Sequence, residues 1–153
     1  MRYLLIFIGL LAGSAASAQI DIEAMTTMDA RCQAEIEAKP VSCTPFASFV
    51  QFGNGRSLIA FSHDGVLYSF SGRRIDPRGP ASFALIVDMV RITSAKVPER
   101  ALGDSEGECV VETEGDGRPF KSIACDARSR GANARYRVTF DRISNFERKS
   151  YRR

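Results

Sequence analysis

The first regular pattern of apolar residues after position 20 has helical spacing. Apolar side chains recur at positions 22, 25, 28, 32 and 36, which are the three- and four-residue steps of one helical face. Thr26 with Asp29 three residues later resembles a capping box, and Pro40 ends the pattern. The spacing therefore predicts one short amphipathic helix, with Cys32 on its buried face.

After Pro45 the period changes to two, and turn signals follow at short intervals. Asn54-Gly55 and Asp64-Gly65 are strong hairpin signals, because both central residues of a type I′ turn need positive φ. Two-residue loops fix the register of the strands that they join. These loops would pair Val50 with Ile59 and Phe61 with Tyr68.

The rest of the chain adds strands and one polar loop. Gly72 to Pro80 is predicted as the loop, and Ser82 to Ile92 as a buried central strand. Residues 108–114 and 120–127 form a second hairpin, and residues 134–143 form the last strand. The sequence thus predicts a mainly β (α+β) fold, an antiparallel β-sandwich or partly open barrel of about six to seven strands with one N-terminal helix packed on it.

The first 18 residues have the features of a cleaved secretory signal peptide. Arg2 precedes an apolar run from Tyr3 to Ala12, and Ala16-Ser17-Ala18 supplies the small residues that signal peptidase needs. The apolar run is about half of the ~20 residues that a membrane-spanning helix requires. We therefore expect cleavage before Gln19 and a periplasmic or secreted protein. Residues 19–153 would be a single β-rich domain with a basic C-terminal end and no transmembrane segment.

Export makes the four cysteines candidates for disulfides, because thiols outside the cytosol are oxidised. Spacing favours the local pairs Cys32–Cys43 and Cys109–Cys125, since the second hairpin brings Cys109 directly opposite Cys125. Each bridge is worth about 3 kcal/mol in the chain-entropy account. No two cysteines have CxxC spacing and the chain has one His, so no metal site and no cofactor are predicted.

Composition excludes several classes of protein but indicates no reaction. The 153 residues are 44% hydrophobic and 25% charged, which excludes collagen-like and wholly disordered chains. The net charge of +3 is small for a nucleic-acid binder, and no specific nucleic-acid motif is present. His63 and Asp64 are adjacent at a hairpin, where their side chains point apart, and there is no GxSxG motif. No catalytic residue is predicted, and the balance is against an enzyme, although carboxylate pairs can hydrolyse glycosides without His.

Charge is unevenly distributed along the chain. Residues 19–127 carry a net charge of −5, and residues 128–153 carry +7. The predicted contact residues are Arg135, Arg137, Arg148 and Lys149, whose partner would be an anionic surface or an acidic protein. Alternatively, these cations neutralise the neighbouring acidic hairpin or protect an edge strand. The favoured function is an exported, non-catalytic binding or envelope-associated structural module.

A second functional hypothesis concerns the predicted loop at residues 71–80. Ser71-Gly72 follows a strand in a small exported disulfide-bearing β protein. It resembles the start of the SGxxY loop of periplasmic lysozyme inhibitors of the membrane-bound type, with Ile75 at the position of the Tyr. The resemblance covers a handful of residues. It implies a protein inhibitor of a hydrolase such as lysozyme, with Arg73 and Arg74 on the loop that enters the enzyme cleft.

Overall fold

The computed structural model describes residues 21–96, 99–115 and 119–151, and for residues 74–78 it describes the backbone alone. These residues form ten β-strands, and none of them is helical. The strands are β1 (Ile22–Ile36), β2 (Lys39–Val41), β3 (Phe46–Phe52), β4 (Arg56–His63), β5 (Val66–Gly79), β6 (Ser82–Ser94), β7 (Arg100–Leu102), β8 (Ser105–Thr113), β9 (Phe120–Ser129) and β10 (Ala134–Ser150).

Eight of the strands form a closed antiparallel barrel. Their order is β10-β9-β8-β6-β5-β4-β3-β1, and β1 pairs back with β10 from Ala24–Ser150 to Ile36–Tyr136. The short strands β2 and β7 are additions, on β1 and β6 respectively. The predicted sandwich or partly open barrel with a packed helix is therefore wrong, because the first and last strands pair and close the sheet.

The segment predicted as a helix is the first barrel strand. From Ala24 to Ile36 its even-numbered positions are apolar or small, whereas most odd-numbered positions are polar. The buried positions include small side chains: Ala24, Thr26, Ala30 and Ala34. Small residues fit here because large side chains on the other strands fill the interior. The larger apolar residues of this segment have helical spacing by themselves, and the small buried residues between them complete the period of a strand.

The barrel interior is filled by side chains. Phe61 stacks on Tyr68 with ring centroids 5.1 Å apart, and Tyr68 lies 6.2 Å from Tyr136. Tyr136, Val138 and Phe140 of β10 are also fully buried in the interior.

Of the two registers predicted from hairpin turns, one is confirmed and the other is wrong. Phe61 pairs with Tyr68 around Asp64-Gly65, as predicted. Around Asn54-Gly55 the predicted register is wrong by one residue, because Phe49 pairs with Ile59. The Gly55 N–H donates to the Phe52 carbonyl at 3.0 Å, and Gly55 has φ of 78°. Gly53 is therefore part of a three-residue loop, in place of the predicted two-residue turn. The longer loop shifts the register by one residue, and Phe49 lies in the core.

Both predicted disulfides are confirmed. Cys32–Cys43 ties β1 to the connection before β3, with Cα atoms 5.8 Å apart. Cys109–Cys125 joins directly paired residues of β8 and β9, with Cα atoms 3.9 Å apart. Two disulfides indicate an oxidising environment outside the cytoplasm. The predicted signal peptide lies outside the described residues.

Residues 72–79, predicted as a polar loop, instead continue β5 as far as Gly79. The turn comes later, because Gly79 pairs with Ser82. A Cβ on Gly72 would overlap the backbone carbonyl of Ile86, so only glycine fits where these strands approach each other. Gly72 therefore has a structural explanation in the close approach of β5 and β6.

Candidate functional site

The barrel wall opens where β10 separates from β9. The pairing of these strands ends at Phe140–Ile123, but β10 continues along β1 to Ser150. The register between β10 and β1 shifts twice in this region, and Arg142 and Asn145 have positive φ, as residues at β-bulges do. The Asn145 side-chain amide donates to the Asp29 carboxylate at 2.8 Å, which holds the bulged segment against β1.

The gap beside the separated strand is an apolar cleft of about 320 Å³. Its lining residues are Thr26, Pro119, Phe120, Phe146 and Arg148. The Phe120 and Phe146 rings meet edge to face, with centroids 6.2 Å apart. Phe120 is buried, whereas Phe146 is 40% exposed. A half-exposed ring over a buried one gives a ligand an apolar surface on which to pack.

Arg148 supplies a positive charge to this cleft. It pairs with Thr26 across β1 and β10, so its side chain lies on the same sheet face as the buried Thr26. Its Nη2 donates to the Gln51 side-chain oxygen at 3.4 Å. The described hydrogen-bond partner of Arg148 is therefore an uncharged amide.

Two other predicted contact residues, Arg135 and Arg137, lie near the opposite end of β1. Arg137 pairs with Glu35 and Arg148 with Thr26, a separation of about 30 Å along the strand. The Nε atoms of Arg135 and Arg137 both donate to Asp126, at 2.8 and 3.0 Å, and Arg137 also contacts Glu35 at 3.4 Å. Acidic neighbours therefore neutralise these cations, and the predicted basic strip is divided between two sites.

Of the remaining predicted contact residues, Lys149 and Arg73 are not among the described residues that line the cleft. Lys149 follows Arg148 on the outer face and pairs with Glu147 at 3.1 Å. Arg73 is exposed on β5, where it pairs with Arg56 of β4. Arg74 pairs with Leu85 through the backbone, and its side chain lies outside the described part of the structure.

A polar groove of about 620 Å³ lies near Arg135, between the β1–β2 and β9–β10 turns. Two of its acidic residues already have cationic partners, because Asp126 binds Arg135 and Glu106 binds Arg130. Within the described ranges, no cluster of three or more His, Cys, Asp or Glu residues could hold a metal ion. The apolar cleft is therefore the stronger candidate site.

Comparisons with protein families, with curated proteins and with solved structures found no match for this chain. In the ranges that the structure describes, no helix has the length and apolar character needed to cross a membrane.

Proposed function

We propose that this protein is a periplasmic or secreted, non-catalytic binding module that holds an apolar group in the cleft between β9 and β10. The observation that carries the proposal is the exposed Phe146 ring beside the buried Phe120. Covering an exposed aromatic ring removes apolar surface from water, which favours binding by about 25 cal/mol per Å². The cleft offers a small apolar group contact with both of these rings.

The first test measures the affinity of a neutral environment-sensitive dye, N-phenyl-1-naphthylamine, for the oxidised protein. We expect saturable binding with a blue-shifted emission. Phe146→Ser should weaken binding about tenfold, because it removes an aromatic wall of the cleft. Phe46→Ser is the matched control, since Phe46 is similarly exposed, at 45%, but does not line the cleft.

Equal affinities of the two variants, or no saturable binding by the wild type, would contradict the proposal. Circular dichroism should show that both variants fold, because each ring is substantially exposed in the native protein. A purely structural role in the cell envelope predicts no saturable dye binding at all. The alternative of a hydrolase inhibitor predicts inhibition of lysozyme that Phe146→Ser leaves unchanged.

A further inference from the structure

We infer that the ligand of this cleft is an anionic amphiphile, whose apolar body packs on Phe120 and Phe146 and whose carboxylate, phosphate or sulfate group binds Arg148. The inference rests on the proposed function, because it specifies the ligand of the same cleft. It rests on three properties of the site, namely a cation on the correct face, an uncharged described partner for that cation, and a matching size.

Phe146 and Arg148 follow each other on one face of β10. Side chains alternate between the two faces of a strand, so residues two apart lie on the same face, about 7 Å from each other. Both residues line the cleft, whereas the intervening Glu147 and the following Lys149 pair with each other outside it. A ligand lying along β10 would therefore meet the aromatic ring first and the guanidinium next.

The described hydrogen bond of Arg148 differs in kind from those of three other arginines. Arg31, Arg56 and Arg135 are each held by a carboxylate, from Asp141, Asp88 and Asp126 respectively. The described partner of Arg148 is the uncharged Gln51, which orients the guanidinium without neutralising it. A planar guanidinium binds carboxylate and phosphate through two parallel hydrogen bonds, and a neighbouring apolar surface strengthens them.

The size of the cleft limits the apolar body of the ligand. A volume of about 320 Å³ is at the lower end of the range for small-molecule pockets. It suits a short alkyl chain or a single ring. An entire long-chain lipid would extend beyond it.

The test compares octanoate, octan-1-ol and octyltrimethylammonium as ligands of the oxidised protein, all below their micelle concentrations. Dissociation constants come from amide chemical-shift titrations at pH 7, where the carboxylate is ionised. We expect octanoate to bind most tightly, and Arg148→Gln to weaken octanoate binding about tenfold while octan-1-ol binding stays the same. Lys149→Gln is the matched control, because it removes the same charge from the adjacent outward position.

Equal binding of octanoate and octan-1-ol, or equal effects of the two variants, would overturn the inference while leaving the cleft as a site for apolar groups. Failure of all three compounds to shift resonances around the cleft would overturn the proposed function as well. Vesicles of phosphatidylglycerol and of phosphatidylcholine distinguish the two sources of the ligand. Retention on the anionic vesicles alone, lost in Arg148→Gln, would support a membrane headgroup, and octanoate binding without such retention would support a free amphiphile.

Discussion

Asp126 explains why the arginines of the last strand do not form one cationic surface. Its carboxylate accepts hydrogen bonds from both Arg135 and Arg137. The hydrogen bond from Arg135 is the main reason that the pKa of Asp126 is lowered from its ordinary value of 3.8. Two cations that sequence alone would assign to a partner are thus held by an acid on the neighbouring strand.

The lowered pKa of Asp126 leads to a prediction about acid stability. A carboxylate with a depressed pKa in the folded state stabilises the fold above its ordinary pKa, and this contribution is lost as pH falls through the lowered value. We expect Asp126→Asn to reduce the free energy of unfolding at pH 7 by about 1 kcal/mol or less, because the ion pairs are partly exposed to solvent. At a pH below the lowered pKa the variant and the wild type should become nearly equally stable.

Urea unfolding at a series of pH values measures this convergence. Asp64→Asn is the control, because Asp64 is 80% exposed in its side chain and asparagine tolerates the positive φ of that turn position. A stability difference between Asp126→Asn and wild type that stays constant down to pH 2 would contradict the assignment.

At the scale of the element, some signals in the sequence were sufficient to predict the structure, whereas the signal for β1 was not. The Asp64-Gly65 hairpin and the Cys109–Cys125 pair were predictable, because turn chemistry and local register determine them. The strand period of β1 was present in the sequence, but small residues such as Ala30 and Ala34 carried it. With these small residues included among the inward-facing positions, the alternation of β1 is that of a strand.

The cleft was predictable only in part. Phe146 and Arg148 are two residues apart, so they lie on the same face of the strand, and this spacing can be read from the sequence. Their contact with Phe120 and Thr26 depends on the pairing of the first strand with the last and on two bulges in β10. No local turn connects β1 with β10, because they are far apart in the chain. The hydrophobic period alone could therefore not locate this site.

Two glycines at which neighbouring strands approach closely, Gly72 and Gly107, give a prediction about β5 and β8. A Cβ on Gly72 or Gly107 would overlap a backbone carbonyl of the adjacent strand. Because backbone atoms cannot move aside as a flexible side chain does, we expect Gly72→Ala and Gly107→Ala each to cost about 3 kcal/mol or more. Thermal and urea unfolding measure the loss.

Gly103→Ala is the matched control for these variants. A Cβ there would meet only the end of the Met89 side chain, at 4.0 Å, so the change should alter stability by less than about 0.5 kcal/mol. If all three variants were equally stable, the explanation of Gly72 and Gly107 by close strand approach would be wrong.

At the scale of the whole molecule, the pairing of β1 with β10 closes the barrel. The first half of β10 pairs with both β9 and β1. Its second half continues along β1, has no pairing with β9, and borders the cleft. The two halves therefore have separable roles, because the first completes the barrel wall and the second forms one side of the cleft.

Two deletions test this division. Removing residues 134–153 takes away all of β10, leaves β1 and β9 with unpaired edges, and should give an insoluble or unfolded product. Removing residues 144–153 keeps the pairing with β9 and should preserve dispersed amide resonances, while dye binding in the cleft is lost. Dispersed resonances in the longer deletion would show that β10 is not needed for closure.

The pairing of β1 with β10 also has a consequence for biogenesis. β1 lacks its closing partner, β10, until the residues of β10 have been synthesised. The barrel therefore cannot close on a nascent chain that does not yet include β10. A fold that closes only through β10 therefore leaves the earlier strands without their closing partner until that segment has been made.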